Sequence, residues 1–297
     1  MKCLIINNPV SGHSKSPAEI EEIVNRLKTK YETVDLKETL ENVTSENIAC
    51  ENIGKYDVFV VLGGDGTFNE MLRGIVGKPD RPVVGYIPSG TVNDFARSNK
   101  IPLTYKEAVE VILNGKTKLK STMFINGIPA CYLIGAGMFT SSSYTAKNEV
   151  KRKIGKLAYY LEILFHDKGR HGEQLEITLD GEKHNSLYTF VAGLNNAHIG
   201  GLLVTKQYND NKDFFYVLLS KRKKGFFPLI VSLLAMVRTY LKKIENIKDT
   251  KHIVIRKVNS MSVKSLTNTP WNIDGERGPV GDAEITYQQN TFEIFVP

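Results

Sequence analysis

The pentapeptide Gly63-Gly64-Asp65-Gly66-Thr67 follows directly on the apolar run Val58-Phe59-Val60-Val61-Leu62. A short, uninterrupted apolar run bounded by glycine reads as a strand buried on both faces. Glycines 63, 64 and 66 at its carboxyl end let main-chain N–H groups close on an anion, and they allow backbone angles closed to other residues. Residues 68–76 read as a helix, whose positive end faces the same spot. Strand, glycine turn and helix in that order form a phosphate cradle. A plain strand-to-helix turn is the alternative, but it needs one glycine and neither the Asp nor the Thr.

Two further loops share this character. Val83-Val84-Gly85-Tyr86-Ile87 ends in Pro88-Ser89-Gly90-Thr91-Val92-Asn93-Asp94-Phe95-Ala96-Arg97, and Cys3-Leu4-Ile5-Ile6 runs into Asn7-Asn8-Pro9-Val10-Ser11-Gly12. In an open parallel sheet such loops gather at one edge, where ligands bind. Three phosphate-competent loops in the first third of the chain therefore converge on one crevice and imply a nucleotide site.

Strands and helices alternate through this region. Ser16-Pro17-Ala18-Glu19 is a capping box with proline at the first helical position, and Ile20, Ile23, Val24 and Leu27 then share one helix face. Thr33-Val34-Asp35-Leu36 suits a short strand, and a weaker helix precedes Tyr56. Thr104-Tyr105-Lys106-Glu107 is a second capping box, ahead of a stripe of Ala108, Val111 and Ile112 that stops near Gly115. From about Thr117, apolar runs at 175–179, 187–194, 214–219, 252–255 and 260–263 recur without paired helices. Asn126-Gly127, Asp180-Gly181 and Asp274-Gly275 are hairpin signals. The expected fold class is α/β plus all-β. A nucleotide-binding domain with a helix-flanked parallel sheet (1–120) precedes a mostly antiparallel β-sandwich or curled sheet (121–287), and the chain end (288–297) returns to the first domain. Helices are expected in the second half at 154–166 and 227–243.

The chain has 297 residues and a net charge of +7, too long for one small core and of ordinary globular composition. After Lys2 the apolar run meets Asn7 within a few residues, unlike a secretory signal. Cys3, Cys50 and Cys131 are odd in number and share no metal or disulfide spacing, which fits a reducing cytoplasm. Dedicated zinc or EF-hand spacings are missing. So are a recognition-helix pattern and basic residues interleaved with stacking aromatics, so nucleic acid is not an expected partner.

The three loops together resemble the diacylglycerol kinase catalytic domain family, the bacterial soluble lipid kinases. Asn8-Pro9-Val10-Ser11-Gly12, the stretch from Gly63 through Glu70, and the Pro88-to-Arg97 segment carry the resemblance. Asn272-Ile273-Asp274-Gly275-Glu276 looks like the family's Asp-Gly-Glu segment, and the match extends over essentially the whole chain. NAD kinases and phosphofructokinases carry a similar Gly-Gly-Asp-Gly-Thr element, so the other two loops are what point to lipid kinases. The resemblance implies transfer of the γ-phosphoryl group of ATP, with magnesium, to the hydroxyl of diacylglycerol or a related lipid, giving phosphatidic acid.

It also implies roles for particular residues. Asn8, Pro9, Val10, Ser11, Gly12, Gly64, Asp65, Gly66, Thr67, Phe68, Asn69, Glu70 and Thr91 would contact ATP, with Thr39 near the adenosine. Asp65 would serve catalysis beside the nucleotide or its magnesium; an Asx turn holding the glycine segment is its structural alternative. Glu276 would be the general base, although by spacing alone it is an acidic residue beside a hairpin turn. Asn93 and Asp94 are either ligand contacts or helix N-cap groups. An accessory magnesium site of the family corresponds to Asn209-Asp210-Asn211-Lys212-Asp213-Phe214-Phe215. Asp210 and Asp213 could bind metal there, but the Asp-Gly pair is missing and Lys212 would repel a cation. Two other readings follow. A NAD kinase-like enzyme with a soluble substrate leaves Asn-Pro-Val-Ser-Gly unexplained, and a catalytically impaired nucleotide- or lipid-binding protein is suggested by Lys212.

A lipid substrate requires access to a bilayer. The most apolar run, 226–237, is flanked by Lys221, Arg222, Lys223 and Lys224 and by Arg238, Lys242 and Lys243. At about 18 Å as a helix it is shorter than the ~30 Å hydrocarbon core, so it can lie in the interface but not cross. Each basic residue near an anionic leaflet adds about 1 kcal/mol. A buried core helix with solvated ends is the alternative. Lys147, Lys151, Arg152, Lys153 and Lys156 form a second basic cluster, facing phosphates, headgroups or solvent. The expected setting is cytoplasmic, peripheral to the inner face of the membrane. Its partners would be the lipid and an anionic surface, with a homodimer allowed.

Overall fold

Four runs rich in β-branched residues form the parallel part of the sheet: β1 (Lys2–Asn7), β2 (Thr33–Glu38), β3 (Val58–Gly63) and β4 (Val83–Pro88). Every residue of β3 is buried, as its unbroken apolar sequence requires of a central strand. The computed structural model describes residues 1–137, 172–199, 201–206, 213–222, 242–246 and 249–297. β1 pairs in parallel with both β2 and β3, and β3 with β4. The chain therefore leaves β1 for one neighbour and later returns to its other side. That reversal of strand order opens a crevice at the carboxyl ends of β1 and β3.

Local chemistry sets the helices. α1 (Pro17–Leu27) carries the expected capping box: the Ser16 hydroxyl accepts from Glu19 N, and the Glu19 carboxylate accepts from Ser16 N at 2.8 Å. α2 (Ser45–Asn52) is the weaker helix before Tyr56, held by a Thr44–Asn47 box of the same kind. α3 (Asp65–Ile75) starts three residues before the position expected from hydrophobic spacing, because Gly64 in an extended conformation serves as N-cap. Asp65, Gly66 and Thr67 thus form its first turn. α4 (Asp94–Ser98) is short, and α5 (Tyr105–Asn114) ends where Gly115 adopts φ +72°. The second capping box is not reciprocal: Thr104 donates its hydroxyl to the Glu107 carboxylate and caps no main-chain N–H.

The remaining described strands are β5 (Thr117–Ile125), β6 (Ile128–Ala130), β7 (Leu133–Gly137), β8 (Glu173–Leu179), β9 (Glu182–Leu194), β10 (His198–Ile199), β11 (Leu202–Leu203), β12 (Phe215–Lys221), β13 (Ile253–Val258), β14 (Ser260–Ser265), β15 (Pro270–Ile273), β16 (Glu276–Val280) and β17 (Ala283–Phe295). Apart from the β17–β4 contact, their ladders are antiparallel. Each predicted Asx-Gly pair closes a hairpin with both residues at positive φ, including Asp274 at 54° and Gly275 at 95°. These strands enclose a second core that includes Trp271, Tyr188, Phe215, Met261 and Ile285.

The antiparallel region expected for the second half is present, but it is not a separate sheet. Its strands join the parallel ones in a continuous 15-stranded hydrogen-bonded network. β17 makes the join: Ile285 pairs with Met261 of β14, while Ile294 pairs with Val84 of β4. The register against β5 shifts between Gln288 and Phe292, so one strand serves two sheet directions. The buried hydroxyls of Thr122 and Thr291 meet at 2.7 Å at that irregularity. The helix expected at 154–166, that expected at 227–243 up to residue 241, the 226–237 run, the basic cluster 147–156, Lys223, Lys224 and Asp210 lie outside the described residues.

Gly74 is where α3 lies against α2. A Cβ there would stand 2.8 Å from Ala49 Cβ and 2.9 Å from the Glu46 carbonyl oxygen. Alanine relieves about 0.5–1 kcal/mol of glycine's helix penalty, but overpacking against backbone costs about 1–3 kcal/mol. Gly74→Ala is expected to lower stability by about 1 kcal/mol, read as a lower urea midpoint at unchanged m-value.

Candidate active site

The loops after β1, β3 and β4 meet. Ser89 N donates to Gly63 O at 2.7 Å, His13 N donates to Ser89 O at 2.7 Å, and the hydroxyls of Ser11 and Ser89 lie 2.7 Å apart. Asn8 Nδ2 donates to Thr67 Oγ1 at 2.8 Å, and Asn8 Oδ1 accepts from Val10 N. A Cβ on Gly90 would fall 2.6 Å from Gly64 Cα, and one on Gly12 would fall 2.6 Å from Thr91 Oγ1. Glycine is therefore required where backbone passes backbone. Gly64 makes no side-chain cap, so the first turn of α3 opens toward the loops without a capping oxygen. Free main-chain N–H groups at a helix start, ringed by small and hydroxyl residues, fit a polyphosphate.

Asp65 sits at the centre of this junction. Its Oδ2 accepts from Asp94 N at 2.9 Å and its Oδ1 from Phe95 N at 3.1 Å. Burial pushes its carboxyl above the ordinary range, and these amides pull the other way. Both oxygens are thus committed to the start of α4. The Asx turn is not the role these bonds show: Asp65 holds the start of a helix distant in sequence. Asn93 is the N-cap of α4 in a left-handed conformation (φ 56°) and caps nothing; its side chain exchanges hydrogen bonds with both main-chain groups of Gly90. Asp94 Oδ1 accepts from Gly201 N.

The other sequence-predicted residues divide. Pro9, Val10, Gly12 and Thr91 are exposed at the crevice, with Ser11 partly so. Thr39 N donates to Asn7 O, which sets it beside the carboxyl end of β1. Phe68 turns inward: its ring is fully buried, with centroids 4.3 Å from Phe95 and 4.6 Å from Tyr86, and its N–H is spent on Gly64 O. It packs α3 onto the sheet. Glu70 accepts from Ser45 N at the start of α2. Asn69 is 2% exposed, and neither its amide oxygen nor its nitrogen has a protein partner. Asp213 is exposed, Asp210 and Lys212 lie outside the described residues, and no group of three or more His, Cys, Asp or Glu that could hold a metal occurs among the described residues.

Glu276 comes to the junction from the far end of the chain. A Cβ at Gly66 would lie 3.6 Å from Glu276 Oε1, so this carboxylate stands beside the first turn of α3. The β15–β16 hairpin delivers it. Asp274 Oδ2 accepts from Cys131 N at 2.6 Å, and its Oδ1 accepts from Tyr132 N and Leu133 N at 2.9 and 2.8 Å. The Tyr132 hydroxyl donates to Asp274 O, and Gly275 N donates to Asn272 Oδ1. Burial pushes the Asp274 carboxyl up to about 7 despite these three amides.

Sequence reasoning missed two residues here. Asp274 registered as a turn residue, whereas its side chain fastens the hairpin to the β6–β7 connection. Arg73 was passed over entirely. Its Nη2 lies 3.1 Å from Glu276 Oε2 and its Nε 3.1 Å from Glu46 Oε2. The available signal was helical spacing, since Arg73 follows Glu70 by three and Gly66 by seven and so shares their face. Burial disfavours the Arg73 cation, but Glu276 and Glu46 more than reverse this and hold it protonated. Burial and the nearby Glu276 carboxylate raise Glu70.

Comparison with known proteins gives the family. The model of the diacylglycerol kinase catalytic domain matches residues 2–125. A diacylglycerol kinase of Staphylococcus aureus (strain bovine RF122 / ET3-1) is 31% identical, the alignment covering 99% of this chain and 91% of the relative. One from Staphylococcus carnosus (strain TM300) is 29% identical over 99% of this chain and 94% of its own. A crystal structure from Bacillus anthracis str. Sterne superposes with TM-score 0.84 at 24% identity, covering 100% of this chain and 97% of that one. A second, of a diacylglycerol kinase from the same organism, gives TM-score 0.78 at 21% identity with the same coverage. These last two show the shared fold. Fold and relatives together define a lipid kinase, an enzyme class that implies ATP as phosphoryl donor. The chain belongs to the diacylglycerol kinase family.

Asp65, Glu70 and Asp274 all hold protons more tightly in the folded protein than in the unfolded chain. The unfolded state then binds fewer protons through this window, so stability falls as pH rises from about 4, up to about 7 for Asp274. The lowered carboxyls, Glu19, Glu182 and Asp249, act in the opposite sense below the ordinary carboxylate range, and His198, lowered by burial, opposes the trend below its ordinary value, one imidazole against three raised carboxyls. The urea midpoint is expected to be higher at pH 5 than at pH 7.5, and a midpoint that rises over that interval contradicts the assignment.

Proposed function

We propose that this enzyme transfers the γ-phosphoryl group of ATP to the free hydroxyl of diacylglycerol or a closely related lipid, giving phosphatidic acid or its analogue. The observation that carries the reading is the Glu276 carboxylate beside the first turn of α3, opposite the glycine junction. Phosphoryl transfer asks a protein to hold phosphates, offset their charge and place a hydroxyl in line with a base.

The loops after β1, β3 and β4 do the holding. Ser11, Gly12, Gly64, Gly66 and Thr91 line the approach, while Asn8 and Thr67 fix its shape through their mutual hydrogen bond. Glu276 accepts the proton of the lipid hydroxyl, directly or through one water. Asp65 contributes by pinning the Asp94 turn against the glycine turn, as a positioning residue. Magnesium, carried with the nucleotide, would neutralise charge on the phosphate oxygens and needs few dedicated protein ligands. Residues 1–120, completed by 288–297, form the nucleotide half in this reading, and 121–287 the lipid half. Among the described residues no helix is long and apolar enough to cross a membrane. Access to the lipid would then be peripheral, from the inner face, through the basic-flanked stretch of the second half.

Purified protein with magnesium, ATP and mixed micelles should label diacylglycerol. Lack of label across a panel of lipid alcohols, or label on NAD instead, defeats the proposal. Glu276→Gln should lower kcat by about 10²–10⁴-fold, the usual contribution of a general base, with ATP affinity retained. Equal losses in kcat and nucleotide binding would show a structural role instead.

A further inference from the structure

We propose that Arg73 is a positioning residue for Glu276: a guanidinium braced on Glu46 holds the Glu276 carboxylate against the first turn of α3 and keeps it ionised beside the second carboxylate of Glu70. The inference rests on the reading of Glu276 as the base.

Arg73 presents Nη2 to Glu276 at 3.1 Å and Nε to Glu46 at 3.1 Å, so different edges of one planar group are occupied and its orientation is fixed. Its side chain is 18% exposed against 41% for Glu276, so the brace is the more buried member of the pair. Gly66, Glu70 and Arg73 share a face of α3, and Glu276 approaches that face at Gly66 and at Arg73. α2 supports the assembly at its start, where Ser45 N binds Glu70 and Glu46 binds Arg73.

Among the described residues, the charged and titratable groups around Glu276 are Glu70 and Arg73 from α3, Glu46 from α2, bound to that Arg73, and Asp274 and the adjacent Arg277 from the hairpin. Without the guanidinium, Glu276 would face Glu70 and Asp274 with no other ion pair to its carboxylate among the described residues. Neighbouring carboxylates in that situation share a proton, and a protonated Glu276 cannot accept one from an alcohol. A half-exposed ion pair contributes little to folding, so the consequence appears in catalysis and its pH dependence rather than in stability.

The test uses the full chain as Arg73→Gln, Arg73→Lys and the double variant Arg73→Gln/Glu70→Gln. In carbon-13 glutamate-labelled protein, the Glu276 carboxyl resonance should titrate at higher pH in Arg73→Gln than in the wild type, return toward the wild-type value in Arg73→Lys, and shift part of the way back in the double variant. In the lipid kinase assay, the acid limb of kcat should move to higher pH in Arg73→Gln, with a loss of about tenfold or more near pH 6 and KM for ATP within about twofold. An unmoved Glu276 titration in folded Arg73→Gln, or a pH-independent loss of activity, overturns the proposal. Wild-type protein that phosphorylates no lipid alcohol removes the base reading, while the resonance shift still reports whether Arg73 sets the charge of Glu276.

Discussion

The carboxylate of Asp65, shared between the amides of Asp94 and Phe95, is the interaction on which the site depends. It draws the turn after β4 onto the turn after β3 until Gly90 all but touches Gly64. A buried carboxylate is tolerated only when its lone pairs are met, and here each oxygen receives a main-chain donor. Phe68, three positions on, turns into the core against Tyr86 and Phe95. The same few residues thus close the crevice above and seal the sheet below.

A second fastening of similar chemistry works at the other side of the cleft. Asp274 gathers the amides of Cys131, Tyr132 and Leu133, just beyond the β5–β6 hairpin that follows β17's long partner. Because β17 is hydrogen-bonded into both parts of the network, the hairpin carrying Glu276 is referenced to the same framework as β4. Buried carboxylates taking main-chain donors thus anchor two short turns, one on each side of the cleft.

Much of the helix-flanked parallel part was legible in the chain. Strands, capping boxes and glycine turns are encoded within windows of a few residues, and β1, β3, α1 and the Asx-Gly hairpins form where such windows place them. Boundaries were less legible: α3 starts at Asp65 because a glycine N-cap is invisible to hydrophobic spacing. Thr104 and Glu107 carry the letters of a capping box but bond to each other, since side-chain geometry decides between those outcomes. Asp65 and Asp274 could be singled out but not given their partners, because these lie 29 and more than 140 positions away.

The sequence by itself determined the order of the elements, the three glycine-bearing turns and the kinship with lipid kinases, because these depend on residue type and short spacing. The tertiary structure decided which acidic residues are fastenings and which one faces the crevice, that one strand unites both halves of the sheet, and that Arg73 meets Glu276 across 203 positions of chain. Such contacts are set by packing and burial over long separations. They follow from where the whole backbone closes on itself, which no local pattern of side chains specifies.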